Sequence, residues 1–143
     1  MPARRLSRDP VAIVRFLWRG IYLAALLRAR PLERVLARVS RPDRLGLPAR
    51  YADDPRAAAR LASAVFRRAT LPFSSRCLVR SLFLFALLHP SRPDLRLIVG
   101  LRKTPAGGVE GHAWVTLDGQ PLCPGDELAP AAFVTLLTLP DRP

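Results

Sequence analysis

LPFSSRCLVRSLFLFALLHP, running from Leu71 to Pro90, decides how the rest of the chain is read. It has the form of one helix. Pro72 precedes it and Pro90 ends it. Ser74 or Ser75 suits the N-cap, because a hydroxyl can accept from a free backbone N–H of the first turn. With Ser74 as cap, Cys77 falls on that turn, where donors are still unpaired and the helix dipole is positive. Such a place favours thiolate, the nucleophilic form of cysteine. Leu78, Leu82, Phe85 and Leu88, with Val79, Phe83 and Ala86 beside them, make the helix apolar almost all round. A helix of that kind is central and buried.

Upstream, the periodicity is helical. Asp9 and Pro10 are a favoured N-cap and first residue, and a helix is expected from Pro10 to Ala29. Ile13, Phe16, Leu17, Ile21, Ala24 and Leu27 are spaced for its inner face. A short helix from Leu32 to Val39 follows, with Leu32, Val35, Leu36 and Val39 inward. Ser40 to Arg50, with Pro42, Gly46 and Pro48, reads as a connection. A third helix is expected from Asp54 to Ala69. Downstream, the pattern changes to strands: Arg96 to Arg102, then His112 to Leu117, then Gln120 to Cys123 after the hairpin signal Asp118-Gly119. Lys103 to Gly111 reads as a loop, and Glu127 to Thr138 as a closing helix or strand. The fold class is therefore α+β, with helices packed on one face of a small antiparallel sheet. Residues 1–50 form a basic Leu/Arg-rich helical segment and 51–143 the core, together one compact domain.

The chain has 143 residues and a net charge of +12. Residues 1–70 carry sixteen Arg against five acids, a balance of +11, so the basic character belongs to the N-terminal half. An acidic peptide, an anionic membrane surface or nucleic acid could answer it. Nucleic acid is the weakest of these, because no aromatic–basic interleaving occurs. Val11 to Ala29 is apolar but interrupted by Arg15 and Arg19. No segment spans a membrane cleanly, although such a helix could lie in the interface. Two cysteines, Cys77 and Cys123, make neither a disulfide framework nor a zinc site, and no metal or organic cofactor is expected. No apolar stretch ends in a cleavage site near the N-terminus, so the cytoplasm is the expected compartment.

A cysteine nucleophile needs a base, and the base needs an orienting group. The chain has two histidines, His89 and His112. His89 stands twelve residues beyond Cys77 on the same helix, roughly 18 Å along the axis, and suits the helix C-terminus as a cation instead. His112, on a strand that can pack on the first turn of the cysteine helix, is the base if there is one. With Asp118-Gly119 as a tight turn, the hairpin register carries Gly125 opposite His112 and brings Asp126 beside it. Asp126 is the preferred acid, Glu127 a weaker choice, and Asp118 the turn residue. Against this, a buried Cys with an unrelated His is common and usually inert.

Ser75-Arg76-Cys77-Leu78-Val79-Arg80-Ser81-Leu82, then Leu97 to Arg102, then Gly111-His112-Ala113-Trp114-Val115 with the Asp118-Gly119 turn, resembles the transglutaminase-like leader-peptide proteases of lasso-peptide biosynthesis. The resemblance covers residues 50–135 most closely. It implies a papain-like core with a Cys-His-Asp triad that cuts a ribosomal precursor between leader and core peptide. Cys77 and His112 match the family's nucleophile and base. Its acid position on the returning strand falls on Pro124 here, with Asp126 two residues on. The implied partners are the precursor peptide, a small leader-recognition protein and the ATP-dependent cyclase that closes the ring. Two other readings compete: a transglutaminase-type acyl transferase using the same site, and a non-catalytic basic binding module in which Cys77 only packs.

Overall fold

The computed structural model describes residues 9–41, 51, 53–68 and 76–140. The expected caps Ser74 and Ser75, Pro72 and most of the connection before Arg50 lie outside them. Helix α1 spans Pro10–Ala29 and is capped as expected: Asp9 Oδ1 accepts from the backbone N–H of Val11 at 3.1 Å and of Ala12 at 3.2 Å. Most of the expected inner face holds: Phe16 and Ala24 are buried, and Ile13, Leu17 and Leu27 pack against the core. Ile21 does not, being 48% exposed, while Ala12, Gly20 and Leu23 are buried in addition. A Cβ built at Gly20 would collide with the Phe66 ring, so the helix turns its one side-chain-free position to that ring. Gly20→Ala is therefore expected to destabilise the fold by about 1–3 kcal/mol through overpacking, despite alanine's better helix propensity. Chemical denaturation of the variant checks this, and an unchanged midpoint would disprove the close packing.

Helix α2 spans Leu32–Val39 and buries Val35, Leu36 and Val39; Leu32 faces outward at the helix start. Helix α3 spans Pro55–Arg68, with Asp54 Oδ1 accepting from Ala57 N at 3.0 Å. The cysteine helix, α4, spans Arg76–Leu88. A 3₁₀ turn, His89–Ser91, takes up Pro90. Burial and then the Arg96 charge lower the pKa of His89, which works against the cationic form expected at the helix end, and its ring stacks on Phe85 at 4.6 Å.

Strands β1 (Arg96–Lys103), β2 (Val109–Leu117), β3 (Gln120–Pro121) and β4 (Val134–Leu139) form one antiparallel sheet in the order β3-β2-β1-β4. β2 starts three residues earlier than expected, at Val109, because pairing with Lys103 extends the ladder past the glycines. His112 is thus inside the strand rather than at its start. The segment 127–138, left open by periodicity, is a one-turn helix α5 (Ala129–Ala132) followed by β4 on the far edge of β1. The hairpin turn is as expected, with Asp118 at φ 52° and Gly119 at φ 76°. This left-handed pair matches strand twist and favours glycine at its second residue.

One apolar cluster joins α1–α4 to the sheet through Leu97 and Val115. Residues on both sides of position 50 enter it: the Phe16 ring lies 4.5 Å from Phe83 of α4 and 5.5 Å from Tyr51. Helix α1 is long and apolar enough to cross a membrane by length and composition, yet its Phe16 is fully buried in this cluster.

Candidate active site

Cys77 is the second residue of α4 and half-buried. Its backbone N–H precedes the first intrahelical hydrogen bond, so no partner exists for it within the helix. The thiol lines a cavity of about 270 Å³ with Arg80, His112, Pro124, Ser63 and Phe66. Four elements thus converge: the start of α4, the middle of β2, the loop after β3 and α3. Ser81, one residue after Arg80 and fully buried, ties the first two together. Its Oγ donates to the carbonyl of Ala113 at 3.0 Å, beside His112.

The structure brings His112 and Asp126 together. His112 Nε2 lies 2.9 Å from Asp126 Oδ1. Arg80 Nη2 donates to the other oxygen, Oδ2, at 2.7 Å. Asp126 is only 2% exposed, and its two oxygens are divided between two nitrogen donors. A buried carboxylate needs such partners, since an unpaired one is costly. With Nε2–H given to the carboxylate, Nδ1 is the ring nitrogen free to accept a proton.

Asp126 reaches His112 by a different path from a continuous hairpin. β3 ends at Pro121, and one further bond, Leu122 N to Val115 O at 2.8 Å, continues the ladder. The chain then turns, with Asp126 N donating to Cys123 O at 3.2 Å and Gly125 at φ 94°. The other two carboxylates are engaged elsewhere. Glu127 Oε2 accepts from Gly125 N at 2.9 Å. Asp118 stays at the exposed hairpin tip, where a hydrogen bond with the Asp94 carboxyl pushes its pKa up.

The His112 ring is held from its sides as well. Phe133 stacks at 5.3 Å and Trp114 at 6.0 Å, and the Arg102 guanidinium covers Phe133 at 4.7 Å from its centroid. Gly100, paired with His112, makes room for this. A Cβ there would lie 2.9 Å from Phe133 Cβ and 3.0 Å from the Val134 carbonyl. Arg80, Ser81, Gly100 and Phe133 carried no role in the sequence reading. Arg80 had a signal all the same: it is the only charge between Cys77 and Leu88, and a charge on a buried helix requires a partner.

Cys77 and Cys123 are both free thiols. Cys123 is 2% exposed, and burial, with Asp126 adding to it, pushes its pKa up. Limited iodoacetamide treatment of the folded protein is thus expected to label Cys77 at least about tenfold faster than Cys123. Peptide mass mapping reads the ratio, and equal labelling would contradict the difference in environment. Among the described residues, no group of three or more His, Cys, Asp or Glu could hold a metal ion.

The family described as Transglutaminase-like superfamily matches residues 18–138 of the chain. No curated protein and no solved structure matches it.

Proposed function

The chain belongs to the transglutaminase-like superfamily, and from that membership we propose that it is a cysteine endopeptidase removing the leader from a ribosomally made lasso-peptide precursor. The observation that carries the reading is the shared cavity of Cys77 and His112, with Asp126 seated on His112 Nε2. The lasso-peptide assignment rests on the Cys77–Leu82 motif and the Gly111–Val115 motif, whose order and content resemble that group of leader peptidases.

The chemistry follows from the positions. Cys77 Sγ attacks the scissile carbonyl, and its proton passes to His112 Nδ1. Asp126 balances the imidazolium and fixes the ring; Arg80 fixes Asp126. The Cys77 N–H, unpaired within α4, donates to the oxyanion as it forms. The tetrahedral intermediate expels the amine, which takes the proton from His112, and leaves a thioester on Cys77. Water, deprotonated by His112, then attacks the thioester, releasing the new carboxylate and restoring the thiol. Side chains, backbone and water suffice for every step.

The precursor is delivered by a small leader-recognition protein, and the cleaved core passes to the cyclase. The test is incubation of the purified protein with precursor peptide and leader-recognition protein, followed by mass measurement. Two fragments whose masses total the precursor plus one water are expected. A leader fragment whose new C-terminal carbonyl carries an added amine in place of the core would instead assign acyl transfer, and intact precursor would sink the protease reading.

A further inference from the structure

A second cavity, of about 490 Å³, opens between α1 and α2. It shares no lining residue with the Cys77 cavity. Four guanidinium groups line it: Arg30 at the junction of the helices, Arg34 and Arg38 on α2, and Arg41 just beyond. Arg34 and Arg38 are four residues apart, which places them on one side of α2. No carboxylate among the described residues forms an ion pair with any of the four. The remaining wall is apolar, with Leu26 and Val35, and carries Tyr22. The Tyr22 ring has Arg38 at 5.9 Å and Arg19 at 5.9 Å from its centroid.

We propose that this cavity binds an acidic segment of a peptide, with carboxylates on the arginines and an apolar side chain against Leu26, Val35 and Tyr22. Four like charges around one concavity repel each other, and an anion relieves that repulsion. Guanidinium forks match carboxylates in pairs. A volume near 490 Å³ falls within the range of ligand sites, roughly 300–1,000 Å³. The apolar wall decides between anions. A nucleic-acid backbone would use only the arginines, whereas a peptide with Leu between Glu residues uses both parts. The inference rests on the reading that the protein acts on peptides, for which such a cavity is a holding site away from the cysteine.

The test uses the full chain with Cys77→Ala, so that binding is read without turnover. The probe is the fluorescein-labelled octapeptide Gly-Glu-Leu-Glu-Glu-Leu-Glu-Gly, followed by anisotropy. The double variant Arg34→Glu/Arg38→Glu should weaken binding at least about tenfold. Arg56→Glu/Arg60→Glu removes the same charge from exposed positions on α3 and should weaken it less than about twofold. The Gln-for-Glu peptide should not bind measurably. Should the Glu variant melt early, Arg34→Gln/Arg41→Gln replaces it, with a loss of at least about threefold expected. Equal losses in the two Glu variants would overturn the proposal in favour of a diffuse field. So would undiminished binding of the Gln peptide, or binding of an oligothymidylate or phosphatidylglycerol vesicles as tight and as sensitive to Arg34 and Arg38. A protein that binds the octapeptide but never cleaves precursor refutes only the protease reading. One that cleaves but does not bind refutes only this site.

Discussion

Cys77→Ala and His112→Ala are each expected to lower precursor cleavage by about 10³-fold or more while leaving the melting temperature nearly unchanged. On the proposed mechanism the first removes the sulfur that carries the acyl group. The second removes the proposed proton acceptor, and His89, just past the other end of α4, is too far away to replace it. Neither change should unfold the protein. Cys77 is only half-buried, and loss of the imidazole still leaves Asp126 paired with Arg80. The two losses should not add in the double variant, because thiol and base act as a unit. Initial rates with the leader-recognition protein present, alongside thermal melts, read both quantities. Cleavage at a tenth of the normal rate by either variant would remove these side chains from the chemistry.

The Arg80–Asp126 pair should show the opposite signature, with stability and activity falling together. The two side chains are 14% and 3% exposed, and the contact is 2.7 Å. Breaking one side of a buried pair typically costs about 3–5 kcal/mol. Because Arg80 keeps some access to water, the lower end applies to Arg80→Met, a fall in melting temperature of roughly 10 °C at this chain length. Below that temperature, cleavage should still drop about 10–100-fold, since Asp126 loses the contact that sets its position and a misplacement near 1 Å is enough. Arg80→Lys should recover part of the stability and less of the activity, as an ammonium cannot reproduce the guanidinium's reach and planarity. Asp126→Asn should cost about 10²–10⁴ in rate through the wrong imidazole tautomer. A normal melt for Arg80→Met would mean that the pair is solvated in solution and positions nothing.

Much of the architecture was readable where the local chemistry was unambiguous. Asp9 with Pro10 marked one helix start, Asp53 or Asp54 with Pro55 another, of which Asp54 is the cap, and Asp118-Gly119 marked the hairpin. The misreadings have physical causes. On α1 only Ile21 departs from the expected inner face, because apolar spacing gives no weight to glycine, and Gly20 is where Phe66 packs. The start of β2 was hidden by Gly107, Gly108 and Gly111, whose turn character concealed a ladder fixed by β1. β4 could not be separated from a helix, because its edge position leaves Val134 and Leu136 exposed and its alternation weak. The geometry that joins His112 to Asp126 was reached from a register that the chain does not keep. A turn around Gly125 does what a longer strand was expected to do. Arg80 was passed over because its meaning depends on a residue 46 positions away, which no local pattern reveals.

That separation bears on how the protein comes into being. Cys77 is synthesised first, His112 35 residues later and Asp126 14 beyond that. A nascent chain that has emerged only as far as α4 carries the Cys77 thiol without His112 or Asp126. Closing the Arg80–Asp126 and Ser81–Ala113 contacts requires long loops to be ordered first, the slow step in chains rich in non-local contacts. On the proposed mechanism, hydrolytic competence is then a property of the finished tertiary structure rather than of any fragment. On refolding from denaturant, peptidase activity should return in step with the near-ultraviolet signal of buried Trp114 and lag the recovery of helical circular dichroism. Activity returning with the helices alone would show that the thiol is served by some earlier, local arrangement.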